Sequence, residues 1–482
     1  MPKHATEAAS GRFCVYNFKE EFFMNETKDV IRDARALGTP KMLILGLQHM
    51  FAMFGATILV PILVNGYFGT GQQVLSVQVT LVCAGIGTLL FHVCSKFKVP
   101  AFLGSSFAFL GGFSTIASLD QGDFATMSES DKLACACGGI FVAGLLYLVL
   151  ALIIKLVGVK KVMRFLPPVV TGPIIICIGL GLAPSAVANA STNWLIAIVA
   201  LAVIIIFNIW GKGMFKIIPI LLGVVISYLF ALVLHLCGFT NPDGSAILNF
   251  AGTASAAWVG LPPFQLPKFN LTAILVMAPI AIASMMEHVG DMSAISATVG
   301  ENFIEDPGLH RTLIGDGLAT SLSALLGGPA NTTYGENTGV LELSRVHDPR
   351  VIRLAAVYAI VLGFIPKVAE IIGSMPASII GGVSVILYGM ISAIGVRNIV
   401  ENQVDFTKSR NLIIAAVILV CGLGFSNGLT FTIGGTSITL TSLAIAALAG
   451  IILNAILPGN DYHFGDRPEG DASRGVYLGP TK

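Results

Sequence analysis

The stretch that decides the fold runs from Gly327 to Arg345 and reads GGPANTTYGENTGVLELSR. Glycine, proline and small polar residues come first, then the carboxylate of Glu336, and only then an apolar helical pattern. Most of the remaining chain is apolar enough to span a membrane. Irregular backbone is not tolerated against lipid, because its N–H and C=O groups find no partner there. The stretch is therefore predicted to line a cavity inside the protein, where broken helices form the solute sites of transporters.

Composition also places the chain in a membrane. Of the 482 residues, 55% are hydrophobic and 11% are charged, whereas a soluble domain carries about 25% charged residues. The 28 basic and 27 acidic residues nearly cancel, so no nucleic-acid partner is expected. Residues 1–41 are polar and lack an apolar core before a small-residue cleavage site, so no secretory signal is expected.

The hydropathy predicts an all-α polytopic protein with fourteen membrane segments, because each crossing takes about 20 mainly apolar residues. The third and tenth segments are short and follow irregular sequence. The ninth is weak, because Gly315, Asp316 and Gly317 interrupt it. The fourteen segments are predicted to begin near Leu43, Val74, Pro100, Ala134, Pro168, Trp194, Ile217, Leu271, Arg311, Glu336, Ile352, Pro376, Leu412 and Phe431.

The distribution of positive charge predicts the orientation. With the amino end inside, only Lys132, Lys268 and Lys367 of the 28 Lys and Arg residues fall outside, which leaves 25 inside. Short cytoplasmic loops of membrane proteins carry an excess of Lys and Arg. Both termini are therefore predicted to be cytoplasmic, and the protein is predicted to lie in the cytoplasmic membrane.

The two halves of the chain resemble each other. Gln48-His49 in the first segment has a counterpart in Glu287-His288 of the eighth, each followed by small residues and methionine. A small polar break follows each pair, at 104–107 and at 331–334. Because seven segments reverse the direction of the chain, the halves are predicted to be inverted repeats with a site near mid-membrane. Chance similarity between two apolar stretches is the alternative.

Four carboxylates fall within the predicted spans: Glu287, Asp291, Asp316 and Glu336. Each costs about 2.5–3.5 kcal/mol at the centre of a membrane helix, so such groups face a protein interior or a cavity. Glu287 and Asp291 are four residues apart and share one helix face. One of the pair is therefore a candidate carrier of an exchangeable proton. The alternative for each is a packing role beside a histidine or hydroxyl, and for Asp316 both roles are open.

The two histidines have no second ligand at metal spacing, so no metal site is expected. His49 is predicted either to reach the site through water or to be a satisfied core residue, and His288 to be structural. Carboxylates, two half-helix amino ends with free N–H groups, and the rings of Phe107 and Tyr334 suit a flat solute. A flat solute with alternating N–H donors and C=O acceptors would match this set of groups, and a nucleobase fits that description. A metal cation, a simple anion or an amino acid fits this set of groups less well.

These residues resemble a known family. The 327–340 stretch, Gln48-His49, Pro100–Phe107 and Gly315-Asp-Gly317 together are similar to the nucleobase–cation symporter-2 (nucleobase–ascorbate transporter) family, over about residues 42–457. The Glu-Asn-x-Gly form that begins at Glu336 is the one associated with its uracil permease branch.

The resemblance implies a core domain of segments one to four and eight to eleven, and a gate domain of the other six. The core comprises residues 42–158 and 271–373, the gate comprises 159–270 and 374–458, and cytoplasmic tails occupy 1–41 and 459–482. Proton symport, movement of the core against the gate in the lipid bilayer, and homodimers are implied as well. No cofactor is implied.

The resemblance also implies roles for residues of this chain. The side chains of Glu287 and Glu336 hold the base, and the backbone amides of Phe107 and Gly335 help to hold its carbonyls. Ser106 and Tyr334 are further expected contacts of the base. Asp291 and His49 are expected to take part in proton coupling with Glu287. The expected supporting residues are Gln48, Asn337, Asp316 and Thr333.

One position departs from the uracil branch. Asp291 stands where uracil permeases often have histidine, and aspartate there is more familiar from xanthine and urate carriers. Uracil with proton coupling is the leading expectation, xanthine or another purine base is the alternative, and sodium stays open as coupling ion. Sulfate and bicarbonate carriers share the architecture, but two facing carboxylates disfavour an anion exchanger. No nucleophile, metal cluster or phosphate loop indicates a membrane enzyme.

Overall fold

The computed structural model describes residues 30–69, 74–426, 428–433, 436–459 and 462. The expectations for residues 1–29 and for most of the carboxyl tail lie outside the described residues. The described chain is mostly helical. In its first half the helices are α1 (Thr39–Phe68), α2 (Val77–Cys94), α3 (Leu110–Ala117), α4 (Glu129–Val157), α5 (Val159–Met163), α6 (Pro168–Gly181), α7 (Ala183–Ser191), α8 (Trp194–Trp210), α9 (Met214–Ile217), α10 (Pro219–Leu236) and α11 (Ala251–Ser255).

The second half repeats this organisation. Its helices are α12 (Leu271–Met277), α13 (Ile280–Val299), α14 (Leu309–Leu325), α15 (Gly335–Ser344), α16 (Pro349–Gly363), α17 (Pro366–Gly373), α18 (Ala377–Glu401), α19 (Ser409–Gly424) and α20 (Ser442–Ile456). The strands are β1 (Leu103–Ser105), β2 (Asn331–Thr333), β3 (Leu429–Ile433) and β4 (Thr436–Leu440).

Local sequence signals set many helix starts. The hydroxyl of Ser76 accepts a hydrogen bond from the Val79 amide at the start of α2. The hydroxyl of Ser128 accepts one from the Asp131 amide at the start of α4. Such caps satisfy amides that have no acceptor within the helix. Proline begins α6 at Pro168 and precedes α18 at Pro376, as the sequence predicts, because its fixed φ suits the first helical turn.

The two small polar breaks pair with each other. Strands β1 and β2 are antiparallel, with Leu103 opposite Thr333 and Ser105 opposite Asn331. The pairing continues at both ends, where the Ser106 amide donates to the Ala330 carbonyl at 2.8 Å and the Tyr334 amide donates to the Phe102 carbonyl at 3.0 Å. Each strand leads into a half-helix, α3 or α15. The two breaks thus satisfy each other's backbone groups at membrane depth, as lipid requires.

The helices pack in two groups. The first contains α1, α2, α4, α14 and α16, and the second contains α6, α7, α8, α10, α18, α19 and α20. Glycines allow close contact in both: a Cβ on Gly317 would lie 2.7 Å from the Gly144 carbonyl oxygen between α14 and α4. A Cβ on Gly395 would lie 2.7 Å from the Gly172 carbonyl oxygen between α18 and α6. The division into a core and a gate domain, and movement of one against the other, stay predictions.

The structure confirms a multi-pass membrane protein. Among the described residues, 7 helices are long and apolar enough to cross a membrane, and α16 with α17, bent by 83°, makes up to 8. Shorter apolar helices include α8, α19 and α20. The number of fourteen crossings stays a prediction.

The predicted start of the fourteenth segment is wrong. Strands β3 and β4 occupy the region of Phe431 as an antiparallel hairpin, and α20 begins only at Ser442. Hydroxyl and apolar residues alternate through most of the sequence on both sides of Gly434-Gly435, as in strands, and a glycine pair between two such runs is a hairpin signal in a sequence. Hydropathy alone does not distinguish such a hairpin from a span.

Candidate substrate site

A small cavity lies where β2 meets α15, between the two helix groups. Its volume is about 30 Å³, room for one or two water molecules. Seven of the residues predicted for the site line it: Phe107, Glu287, Asp291, Thr333, Tyr334, Gly335 and Glu336. They come from the start of α3, from α13 and from the β2–α15 segment. This central cavity therefore brings together the carboxylates and the break that the sequence singled out separately.

Unsatisfied polar atoms surround the central cavity. Within the described part of the chain, Oε2 of Glu287 and Oγ1 of Thr332 are buried and have no hydrogen-bond partner. The neighbouring Ser106 hydroxyl, which is fully buried, is also unpartnered there. A buried polar atom without a partner costs about 1–3 kcal/mol. The cavity wall is therefore prepared to hydrogen-bond something that enters it.

Asp291 is held by the break itself. The Thr333 hydroxyl donates to Oδ2 of Asp291 at 2.6 Å, which ties β2 to α13 one turn below Glu287. Asp291 is buried yet lines the central cavity. The other oxygen, Oδ1, takes no part in this bond. Asp291 is therefore held in place by Thr333 and still has an oxygen that can accept a hydrogen bond.

Gly335 gives the backbone direct access to the cavity. It is the first residue of α15, so its amide has no acceptor within the helix. A Cβ built on it would meet only the Cδ1 of Ile394, at 3.5 Å. Glu336 follows in the first turn of the same half-helix. Amide donors and a carboxylate acceptor are thereby presented side by side.

The two predicted aromatic residues have different surroundings. The ring of Phe107 lies edge-on to that of Tyr388 on α18, with centroids 5.9 Å apart. The Tyr334 hydroxyl donates to the Ser105 carbonyl at 2.9 Å, and a Cβ on Gly104 would lie 2.3 Å from the tyrosine ring. Tyr334 thus fastens β1 to β2, and its hydroxyl is committed to that contact.

The other predicted residues lie outside the lining of the central cavity. Asn337 donates from Nδ2 to the His49 carbonyl at 3.0 Å and lies 3.3 Å from His49 Nδ1, so it ties α15 to α1. Gln48 precedes this contact, and its Oε1 is buried without a partner among the described residues. The Ser106 amide is used in the pairing of the breaks. These groups support the half-helices, and a proton role for His49 stays a prediction.

Asp316 belongs to a separate buried cluster. Its Oδ2 lies 3.0 Å from Nδ1 of His288, and Nε2 of His288 lies 3.0 Å from the Thr312 hydroxyl. All three side chains are buried. This cluster joins α13 to α14, and none of its three residues lines the central cavity.

Four further residues line the central cavity and were not predicted: Ile175, Thr332, Ile391 and Ile394. Thr332 lies inside the predicted break and was within reach of the sequence. The three isoleucines come from α6 and α18, the opposite helix group. They are apolar residues in mainly apolar helices, where nothing in the sequence marks them out. They close the polar site with an apolar wall.

The fold and the site define a multi-pass membrane transporter in which two half-helices meet at a buried polar cavity. The sequence profile of the Permease family, named for xanthine and uracil permeases, matches residues 40–431. The chain belongs to this family, the nucleobase–cation symporter-2 family.

Relatives match over nearly the whole chain. The uracil permease of Bacillus caldolyticus is 41% identical over 451 residues, 90% of this chain and 96% of that one. The uracil permease of Bacillus subtilis (strain 168) is 41% identical over 86% of this chain and 91% of its own. A putative pyrimidine permease of Escherichia coli (strain K12) is 38% identical over 86% of this chain and 89% of its own.

Solved structures share the fold. The transmembrane domain of the cyanobacterial bicarbonate transporter BicA superimposes with a TM-score of 0.56 at 16% identity, covering 89% of this chain and all 100% of that one. SLC26A9 superimposes with a TM-score of 0.62 at 12% identity, covering 95% of this chain and 72% of that one. At such identities the likeness concerns the fold alone. It confirms the predicted helical inverted-repeat fold, and the number of segments stays a prediction.

Proposed function

We propose that this protein imports uracil across the cytoplasmic membrane together with protons. The observation that carries the proposal is the central cavity, where the unpartnered oxygens of Glu287 and Thr332 meet the open amide end of α15. Uracil is flat and carries ring N–H donors beside C=O acceptors. Relatives named uracil permease that match most of the chain support the same substrate.

Each group of the base has a partner in this arrangement. The carboxylates of Glu287 and Glu336 accept its ring N–H groups, and the amides of Gly335 and Phe107 donate to its carbonyls. Charge-assisted bonds of this kind are about twice as strong as neutral ones. The ring of Phe107 packs on the base, and Thr332 supplies one more hydroxyl. With about 30 Å³ of free volume, the site must widen before a base enters.

Widening requires the two helix groups to separate. The polar half of the cavity belongs to α13, β2 and α15, whereas Ile175, Ile391 and Ile394 belong to α6 and α18. Movement of the core domain (42–158 and 271–373) against the gate domain (159–270 and 374–458) would expose the polar half to each side in turn. Discontinuous helices at the interface of two repeats fit such alternating access.

Proton coupling rests on the acids of α13. Glu287 and Asp291 lie one turn apart, and both line the central cavity with Glu336. Three carboxyl groups so close hold fewer than three negative charges in a buried space. A proton from the outside completes the hydrogen-bonding of the site when the base binds, and it leaves with the base inside. His49 is a further proton donor in this scheme, and sodium is the competing coupling ion.

The alternative substrate is xanthine or another purine base. It is favoured by Asp291, which stands where uracil permeases often carry histidine. In this structure the carboxylate of Asp291 is bound to Thr333, and one of its oxygens faces the same cavity as Glu287. A larger base with more donors would use that oxygen.

Orientation and assembly complete the proposal. Both termini are cytoplasmic, in line with the excess of Lys and Arg on that side. The three lysines of the opposite side each have a local partner: Lys132 lies 3.4 Å from Glu129, Lys268 lies 2.7 Å from Asp131, and Lys367 lies over the Trp258 ring. The protein is expected to act as a homodimer.

The test is uptake of radiolabelled uracil into proteoliposomes under an inward proton gradient, competed with unlabelled xanthine. Uptake that an uncoupler abolishes and xanthine barely changes supports uracil–proton symport. No uptake of uracil, or strong competition by xanthine, identifies a purine carrier. Uptake that follows an imposed sodium gradient instead identifies sodium as the coupling ion.

A further inference from the structure

The half-helix α15 separates two cavities that open beside the central cavity. One, of about 190 Å³, lies between α15, α13, α6 and α18 and is here named the α13 cavity. The other, of about 200 Å³, lies between α15, α1, α9, α10 and α18 and is here named the α10 cavity. Each has room for several water molecules, at about 30 Å³ each.

Two adjacent stripes of α15 face the two cavities. Gly335, Thr338, Gly339 and Glu342 line the α13 cavity. Glu336, Gly339, Val340 and Leu343 line the α10 cavity. Both sets follow the i, i+3, i+4, i+7 spacing of one helix face, displaced by one residue. The two sets share Gly339, so the two cavities meet at that glycine, and elsewhere α15 lies between them.

The α13 cavity is polar and continuous with the central cavity. The two share Ile175, Asp291, Gly335 and Ile394, so they meet along a broad boundary. Farther out the α13 cavity is lined by Asn398 and by Arg397, whose Nε donates to Glu401 at 2.6 Å. A hydrogen-bonding solute would find partners along this entire path.

The α10 cavity has a less polar lining than the α13 cavity and a much smaller boundary with the central cavity. Glu336 is the one residue, among those described, that lines both it and the central cavity. Its other lining is largely apolar, with the exposed Asn208 and Lys216 as further polar groups. A boundary formed by a single carboxyl group does not admit a base. A carboxyl group can nevertheless take up a proton on one side and release it on the other.

We propose that the α10 cavity is a water-filled proton path from Glu336 to the cytoplasm, separate from the path of the base. The proposal rests on the proposed proton symport. Glu287 and Glu336 line one central cavity with room for a water molecule, through which a proton on Glu287 reaches Glu336. The O–H bond of protonated Glu336 then breaks toward a water of the α10 cavity. The electron pair stays on the carboxylate, and the proton passes to bulk water beside Asn208 and Lys216.

Neighbouring residues of α15 provide a matched test. Leu343 and Glu342 are both exposed and occupy the same turn, but Leu343 lines the α10 cavity and Glu342 the α13 cavity. Leu343→Trp fills the proposed proton path, and Glu342→Trp fills the proposed base path. Glu342→Gln controls for the loss of charge. Neither position contacts the central cavity.

Two transport measurements distinguish the proposed proton path from the proposed base path. Exchange of labelled for unlabelled uracil at equal pH needs passage of the base but no net proton movement, whereas gradient-driven uptake needs both. Leu343→Trp is expected to slow driven uptake about tenfold and to leave exchange at the wild-type rate. Glu342→Trp is expected to slow both. Asn208→Leu, at an exposed position on α8, is a milder second variant with the same expected pattern as Leu343→Trp.

Equal loss of both modes in Leu343→Trp and Asn208→Leu, or no loss in either, would overturn the proposal. The same selective loss in Glu342→Trp would also overturn it, because the paths would not be separate. Wild-type uptake that ignores the proton gradient would defeat the proposed symport, and this inference with it. Wild-type uptake driven by protons, with both variants unaffected, defeats the inference alone.

Discussion

The hydroxyl of Thr333 donates to Oδ2 of Asp291 at 2.6 Å, while the hydroxyl of its neighbour Thr332 has no partner among the described residues. Both threonines are buried in β2 and line the central cavity. The bonded hydroxyl of Thr333 fixes the site to α13, and the hydroxyl of Thr332 is available to a solute. Replacing each threonine with valine is therefore expected to affect stability at position 333 and binding of the base at position 332.

Thr333→Val is expected to lower stability, because it leaves a buried carboxylate oxygen without its donor at a cost of about 1–3 kcal/mol. Thr332→Val is expected to leave stability unchanged and to weaken uracil binding about fivefold, the loss of one hydrogen bond of about 1 kcal/mol. Thermal unfolding in detergent and equilibrium binding of labelled uracil measure the two effects. The interpretation is wrong if the two variants show the reverse pattern.

Glu336→Gln is expected to abolish tight binding of the base while leaving the fold intact. Glutamine keeps the shape of the side chain but removes the charge, and a hydrogen bond to a charged group contributes about 1.5–3 kcal/mol, or about tenfold to a hundredfold in affinity. Binding to purified protein is the measurement, with an unchanged unfolding temperature as control. Wild-type affinity in this variant would remove Glu336 from the site.

Neutralising the proton carrier is expected to convert uphill uptake into exchange only. Glu287→Gln and Asp291→Asn each keep the side-chain volume, and the variant that removes the carrier can no longer couple the base to the proton gradient. Accumulation of labelled uracil against its gradient, compared with counterflow at equal pH, distinguishes the two modes. If both single variants still accumulate uracil, the coupled proton resides elsewhere.

Gly335→Ala is expected to preserve the fold and weaken binding. Its Cβ would meet only Ile394, at 3.5 Å, an ordinary van der Waals distance, but it would occupy space at the amide end of α15. Gly104→Ala is the contrasting variant, because its Cβ would lie 2.3 Å from the Tyr334 ring and would force β1 and β2 apart. Expression yield and unfolding temperature should fall for Gly104→Ala alone, and uracil affinity should fall for Gly335→Ala. Equal yields for the two variants would contradict this explanation.

The polar half of the site can be predicted from the sequence, because its residues differ from the apolar sequence around them. Glu287, Asp291 and Glu336 are carboxylates in apolar spans, and the two breaks are irregular where lipid demands helix. The register of β1 against β2 cannot be predicted from the sequence, because two short polar breaks indicate no particular pairing.

The apolar half could not be predicted in the same way. Ile175, Ile391 and Ile394 follow the same pattern as dozens of lipid-facing or buried residues, and only the packing of α6 and α18 brings them to the cavity. The hairpin at Phe431 was missed for a related reason. Total hydropathy there predicts a membrane span, whereas the two-residue alternation around a glycine pair indicates a hairpin.

The pairing of β1 with β2 also constrains how the protein is made. Tyr334, which closes the pairing through its hydroxyl, lies 229 residues after its partner Ser105. When the first half of the chain leaves the ribosome, the backbone groups of β1 have no strand to bind, and lipid offers none. The first break must therefore stay in a polar environment until most of the second half has been synthesised. The first break is thus expected to reach its final place in the membrane only after the second break is present.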